Sequence, residues 1–174
     1  RDNFEIEFNR NVIFVDGAHN KTTGSVAYAS VVDGRGIDLV ERYDYLFDDM
    51  VLKEVNLPVG RRIIAISNFS NVSKQQNNGA ELLALIMGLR IANYEQKLAE
   101  DKSEEDKSLA GKYHTIYSDS STVAESWVNG DYYDNLGEEK IKWINKLIRL
   151  KQKFKGNIYK IRGDDNIADL GFHI

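Results

Sequence analysis

The sequence predicts an α/β domain, a mixed sheet with helices packed on it. Three observations carry this. Two apolar runs with strand character each end on an aspartate, at Asp16 and Asp119. The pattern changes at Ala80 from strand-like to helical. The coarse order β-β-β-(β)-α-β-α-α-β-α starts as a meander and then alternates, which calls for a mixed sheet.

The first strand covers residues 11–17. Val12-Ile-Phe-Val15 is unbroken and apolar, as expected of a strand buried on both faces. It runs into Asp16, an expensive residue there unless something pairs with it. Gly17 then lets a backbone or ligand come close. Residues 19–24 read as a polar loop, and 25–32, rich in β-formers, as the second strand. Asp33-Gly-Arg-Gly36 is a turn, and 37–45 reads as the returning strand of an antiparallel hairpin. Residues 46–60 hold the only proline, Pro58, and receive no assignment. Residues 61–69 again look like strand, either separate from 37–45 or part of one interrupted edge.

Residues 70–79 are polar and aperiodic, hence loop. From Ala80 to Ala92 nearly every position is apolar, so this helix should be buried on most sides. Glu81 falls in its first turn, where the dipole favours a carboxylate. The helix continues to about residue 99. Residues 95–107 carry six acidic and three basic side chains and read as a solvated extension. Residues 113–117 form another apolar-biased strand, running into Ser118-Asp-Ser-Ser121, with a short helix over 122–128 and a turn region over 129–137. Residues 138–154 show an amphipathic period through Ile141, Ile144, Leu147, Ile148 and Phe154. A last strand covers 157–161, Gly163 to Asn166 is a turn, and a terminal helix starts at 167–170.

The 174 residues suit a single domain over 1–174. Hydrophobic content of 42% and charged content of 29% are ordinary for a globular protein. No apolar run approaches the roughly 18 residues that would span a membrane. No secretion signal is visible, and cysteine is absent, which removes disulfides and thiolate metal sites. These features read as an intracellular protein. A start at Arg1 and a stop at Ile174 read as a domain excised from a longer chain. The net charge of −4 gives no overall basic signature for nucleic acid.

Four acids stand out by position: Asp16 and Asp119 at strand ends, Glu81 at a helix start and Asp169 in the terminal segment. Each alone has a plain explanation: turn former, N-cap, dipole-matched residue or surface residue. Jointly they suggest a site, because ligands gather beyond the carboxyl ends of sheet strands. Neighbouring carboxylates need a counter-charge, and Mg²⁺ prefers oxygen ligands. Two such ions can promote phosphodiester cleavage.

The chain resembles classical ribonuclease H of the retroviral and bacterial type. The resemblance rests on Val15-Asp-Gly-Ala18, Asn77-Asn-Gly-Ala-Glu-Leu-Leu-Ala-Leu85, Tyr117-Ser-Asp-Ser-Ser-Thr-Val123 and Gly163-Asp-Asp-Asn-Ile-Ala-Asp169, in that order over roughly residues 11–172. It implies a ribonuclease H-like fold with a mixed five-stranded sheet flanked by helices. It implies an endonuclease cutting the RNA strand of RNA/DNA hybrids with two Mg²⁺ ions, which Mn²⁺ can replace. Asp16, Glu81, Asp119 and Asp169 then take the metal-ligand roles, with Asp164 and Asp165 as alternatives for the fourth. Gly17, Ala18, Asn77, Asn78, Ser120 and Asn166 would meet the substrate, the two asparagines from a loop facing the minor groove, where RNA displays 2′-hydroxyls. The parent chain would be a reverse transcriptase, a viral replication protein or a free-standing enzyme. The sequence departs from bacterial members at Arg162-Gly163-Asp164, where they carry a Gly-His loop. A binding module with weak or no cleavage, and a DNA resolvase or exonuclease on the same fold, are the alternative readings.

Residues 138–155 carry seven basic and two acidic side chains. They read either as a solvated outer face or as a surface tracking phosphates. His114 reads as a packing residue, His19 as a polar loop residue, and His173 as a neighbour of Asp169 on one helical face. Trp127 and Trp143 read as core or rim.

Overall fold

The computed structural model describes residues 12–20, 24–32, 41, 43, 46, 52–56, 61–67, 77–102, 113–166 and 168. Six strands form one mixed sheet: β1 (Val12–Asn20), β2 (Gly24–Val32), β3 (Leu52–Asn56), β4 (Arg61–Ser67), β5 (Thr115–Ser118) and β6 (Asn157–Lys160). Their spatial order is β3-β4-β2-β1-β5-β6. Pairing is antiparallel from β3 to β1 and parallel from β1 through β5 to β6. The expected α/β class and mixed sheet are found, with six strands in place of five.

The meander differs from the expected one. The hairpin joins β1 to β2, because β1 extends through His19 and Asn20, which pair with Ser25 and Gly24. Of the expected returning strand 37–45, Glu41 and Tyr43 are described and are helical, and Leu46 after it lies in a 3-10 turn; the other residues of that stretch lie outside the described residues. The partner of β2 is β4, so 61–67 is a separate strand. β3 comes from the unassigned stretch before it, where Leu52-Lys-Glu-Val-Asn56 holds only two apolar residues, three apart, and shows no period-2 alternation to mark a strand.

Helix α1 (Asn77–Lys102) starts three residues before the expected Ala80 and runs three beyond 99. Its residues from Gly79 to Leu89 are all buried, since it lies on β1 and β2 with a second helix, α2 (Glu138–Lys153), against its side. Between β5 and α2 the chain makes a π-helical turn (Thr122–Ser126) and two 3-10 turns (Trp127–Asn129 and Asp134–Leu136). The predicted helix over 122–128 is therefore present in tighter and wider turns than an α-helix. Trp127 is buried in the core and His114 is buried just ahead of β5. Among the described residues no helix is long and apolar enough to cross a membrane.

The amphipathic face of α2 buries Ile144 and Leu147 completely, with Ile141, Ile148 and Phe154 half-buried beside them. Lys140 lays its stem on the same face, and burial lowers its ammonium pKa. The carbonyls of the last turn lack helical partners, and α1 supplies them. Asn93 Nδ2 donates to Leu150 O at 3.0 Å, and Gln96 Nε2 donates to Lys153 O at 2.9 Å. Gln96 Oε1 also accepts from the Lys155 amide at 2.9 Å. The stretch read as a solvated extension thus carries a buried residue that fastens the two helices together.

Gln96→Ala leaves that carbonyl and amide without these partners. Denaturant unfolding should show a loss of about 2–3 kcal/mol, with divalent-cation binding at the distant acids unchanged.

Candidate metal centre

The parallel pairing of β1 with β5 aligns Val15 with Ser118, so the next residues, Asp16 and Asp119, come side by side. Asp119 follows the end of β5, whereas Asp16, expected at a strand end, lies in the middle of β1, which runs on to Asn20. Helix α1 brings the third acid. A Cβ built on Gly17 would lie 2.3 Å from the Ala80 carbonyl carbon and 2.6 Å from the Glu81 nitrogen. Only a residue without a side chain lets the helix backbone come this near. Glu81 is thereby held against β1.

One carboxylate oxygen from each of Asp16, Glu81 and Asp119 lies within 4.8 Å of the other two. Asp16 is 2% exposed, Glu81 8%, and Asp119 is half-buried. Asp16 Oδ1 accepts from the Gly17 amide at 2.9 Å. Glu81 Oε2 is buried with no hydrogen-bond partner. Burial, then the charges of Asp16 and Asp119 and a hydrogen bond with Asp16, push the Glu81 carboxyl up to about 11. The Gly17 backbone opposes the rise. Because α1 begins at Asn77, Glu81 lies beyond the first turn, and the helix dipole does not account for its placement. A buried, partnerless oxygen among three hard oxygen donors is what a divalent cation neutralises, and the residues fit one.

The other expected residues fall around this centre. Asn77 and Asn78 are in the first turn of α1 and not in a preceding loop, one turn ahead of Glu81. Gly17 and Ala18 are strand residues paired with Ala27 and Val26. Ser120 Oγ accepts from the Val123 amide at 3.3 Å, opening the turns that follow. Asn166 is 4% exposed. Its Nδ2 donates to Val15 O at 2.9 Å and its Oδ1 accepts from the Ala168 amide at 3.0 Å. It ties the segment after β6 to the residue before Asp16, a positioning task that its Asn-x-Ala spacing does not advertise. Asp164 is exposed and pairs with Arg162 at 3.3 Å, and neither it nor Asp165 belongs to the acidic group. Asp169 and His173 lie outside the described residues. Gly163 packs beside the group, a Cβ there falling 3.4 Å from Asp119 Oδ2.

Three carboxylates converging where β1 and β5 run parallel form a candidate divalent-cation site. No family model matches the chain, and no curated protein matches it in sequence. Its structure is similar to ribonuclease H structures. Ribonuclease H1 of the halophilic archaeon Halobacterium salinarum NRC-1 is 16% identical, with 92% of this chain and 91% of that chain covered and a TM-score of 0.47. LC11 ribonuclease H1 in complex with an RNA/DNA hybrid is 18% identical, with 91% and 90% covered and a TM-score of 0.47. The N-terminal ribonuclease H domain of a Mycobacterium tuberculosis protein, fused to maltose-binding protein, is 21% identical, with 91% and 92% covered and a TM-score of 0.45.

Two outcomes follow from the geometry. A folded pKa near 11 against 4.5 unfolded means that the contribution of Glu81 is complete below about pH 4.5 and is lost as pH rises toward 11. In chelator, Glu81→Gln should therefore gain on wild type as pH increases, reaching an advantage of about 1–3 kcal/mol near pH 8 by thermal melting. Gly17→Ala should cost at least about 1–3 kcal/mol by denaturant unfolding and weaken Mn²⁺ binding, because α1 must back away from β1.

Proposed function

We propose that the chain is a metal-dependent endonuclease of the ribonuclease H type, hydrolysing the RNA strand of RNA/DNA hybrids. The observation that carries this reading is the convergence of Asp16, Glu81 and Asp119 around the partnerless Glu81 Oε2. The four sequence motifs around these acids supply the substrate class.

The three carboxylates are the ligands for divalent cations, Mg²⁺ or in its place Mn²⁺. When bound, such ions supply Lewis-acid stabilisation of charge in phosphodiester hydrolysis. Asp16 and Asp119, fixed on neighbouring strands, form the rigid part of the ligand set. Glu81 would hold such an ion as a carboxylate, the ion supplying the counter-charge that its buried position otherwise lacks. Asp169 is the proposed fourth ligand. Asn166 supports this by holding Ala168, the residue before it, to the strand that carries Asp16. Asn77 and Asn78, at the N-terminus of α1, and the backbone of Gly17 and Ala18 are the proposed contacts to the hybrid at the same edge. Ser120 and Asn166 contribute by shaping the turns around the acids. Catalysis in such a site is mainly positioning and electrostatics.

The test is cleavage of a hybrid labelled on its RNA strand. RNA cutting is expected in Mg²⁺ or Mn²⁺ and none in chelator. Asp119→Asn should slow cutting by at least ~100-fold, since changing even a residue behind a metal ligand costs 10–100-fold, whereas Asp164→Asn should leave it unchanged. Binding of hybrid without cutting in either metal would leave a binding module in place of an enzyme.

A further inference from the structure

Away from the acids, α1 and α2 enclose a groove of about 370 Å³, lined by Arg90, Lys146, Arg149, Leu150, Gln152 and Lys153. Among the described residues, four of the six that line it are cationic and none is acidic. Arg90 lies nine residues along α1 from Glu81, about 13 Å at the helical rise per residue, so the groove is distinct from the metal centre. We propose that this groove binds the phosphate backbone of a single-stranded nucleic acid.

Only part of the basic run in α2 takes part. Lys155 is engaged by Glu100 at 2.6 Å, and Lys140 is buried. What reaches the surface is ordered. Lys142, Lys146, Arg149 and Lys153 recur at four, three and four residues, which places them along one face of the helix. Their charges rise about 4.5–6 Å apart and extend about 16 Å, a line of cations suited to a linear polyanion. Arg90 lines the groove from α1 and donates a guanidinium N–H to Leu46 O at 3.3 Å.

The side chains favour a nucleic-acid strand. Arg90 and Arg149 offer planar forks that match phosphate. Trp143 stands on the same helix with the Lys146 ammonium 4.0 Å from its ring centre, an aromatic–cation pair beside which a base can stack. Among the described lining residues Leu150 is the only apolar one, too little for an apolar peptide or a lipid tail. With a net charge of −4 over the chain, a cationic groove also fixes where a polyanion approaches. The ligand class is suggested by the proposed hybrid-cleaving activity, but binding here needs neither metal nor cleavage.

The experiment is fluorescence anisotropy of the intact chain with a short labelled oligothymidylate in chelator, over a salt series. Arg149→Glu should weaken binding about 5–10-fold and lower the log–log salt slope by about 0.7–1. Lys151→Glu makes the same charge change two positions away on α2, outside the groove, and should stay within about twofold of wild type. Arg149 and Lys151 are both exposed; if melting shows either variant unfolded, Lys153→Glu replaces Arg149→Glu and Lys160→Glu, at an exposed position of β6 outside the groove, replaces Lys151→Glu. Equal losses in the groove and control variants, no binding by wild type, or equal competition by polyglutamate would each overturn the proposal. Failure to cleave hybrid in Mg²⁺ would overturn the nuclease reading and leave this result standing.

Discussion

The closeness of α1 to β1 at Gly17 is the constraint on which the rest of the structure depends. A side chain there would meet the Ala80 backbone. Without one, the helix entry comes to rest on the middle of β1. That contact fixes where Glu81 sits, and the helix behind it is then committed to the sheet along its length. Gly88 repeats the device two turns on, where a Cβ would fall 2.7 Å from Val15 Cγ1. Two glycines on opposite elements thus allow a fully buried helix to lie close against the central strands. The remaining elements serve that placement. α2 covers the side of α1 and has its last turn completed by Asn93 and Gln96. Asn166 ties the chain after β6 to Val15.

The same closeness makes the site electrostatically costly. Asp16 sits between two strands and under a helix, Asp119 ends the next strand, and Glu81 is pushed into the space they share. Burial and the charges of Asp16 and Asp119 together make an ionised Glu81 costly and raise its pKa. A structural role explains none of this, since three apolar residues would fill the same space more cheaply. Acids persist at such a place when a cation or a reaction needs them.

The parts legible in the sequence were those whose signals are local and strong. The run Val12 to Val15 read as a buried strand, and a repeated strand-then-aspartate pattern pointed to two acids meeting if the strands were parallel neighbours. The all-apolar α1 and the amphipathic α2 stood out by period. What failed was decided by tertiary context. Residues 37–45 alternate well enough for a strand, yet Glu41 and Tyr43 are helical, with Tyr43 in the core and its hydroxyl donating to Glu95 Oε1 at 2.7 Å. β3 is five residues long and carries too few apolar positions to declare itself. The start of α1 was placed late because Asn77-Asn-Gly79 has weak helix propensity, overridden by the packing at Ala80. The Asn166 bridge was invisible because its partner, Val15, lies 151 residues earlier.

The site account reduces to one physical claim, that Asp16, Glu81 and Asp119 together hold a divalent cation. Anomalous diffraction from crystals soaked in Mn²⁺ tests it most directly. The account predicts an anomalous peak among the three carboxylates, in coordination distance of the Glu81 oxygen that lacks a partner. Mn²⁺ bound elsewhere, with the three carboxylates making hydrogen bonds only to one another and to protein, would contradict it.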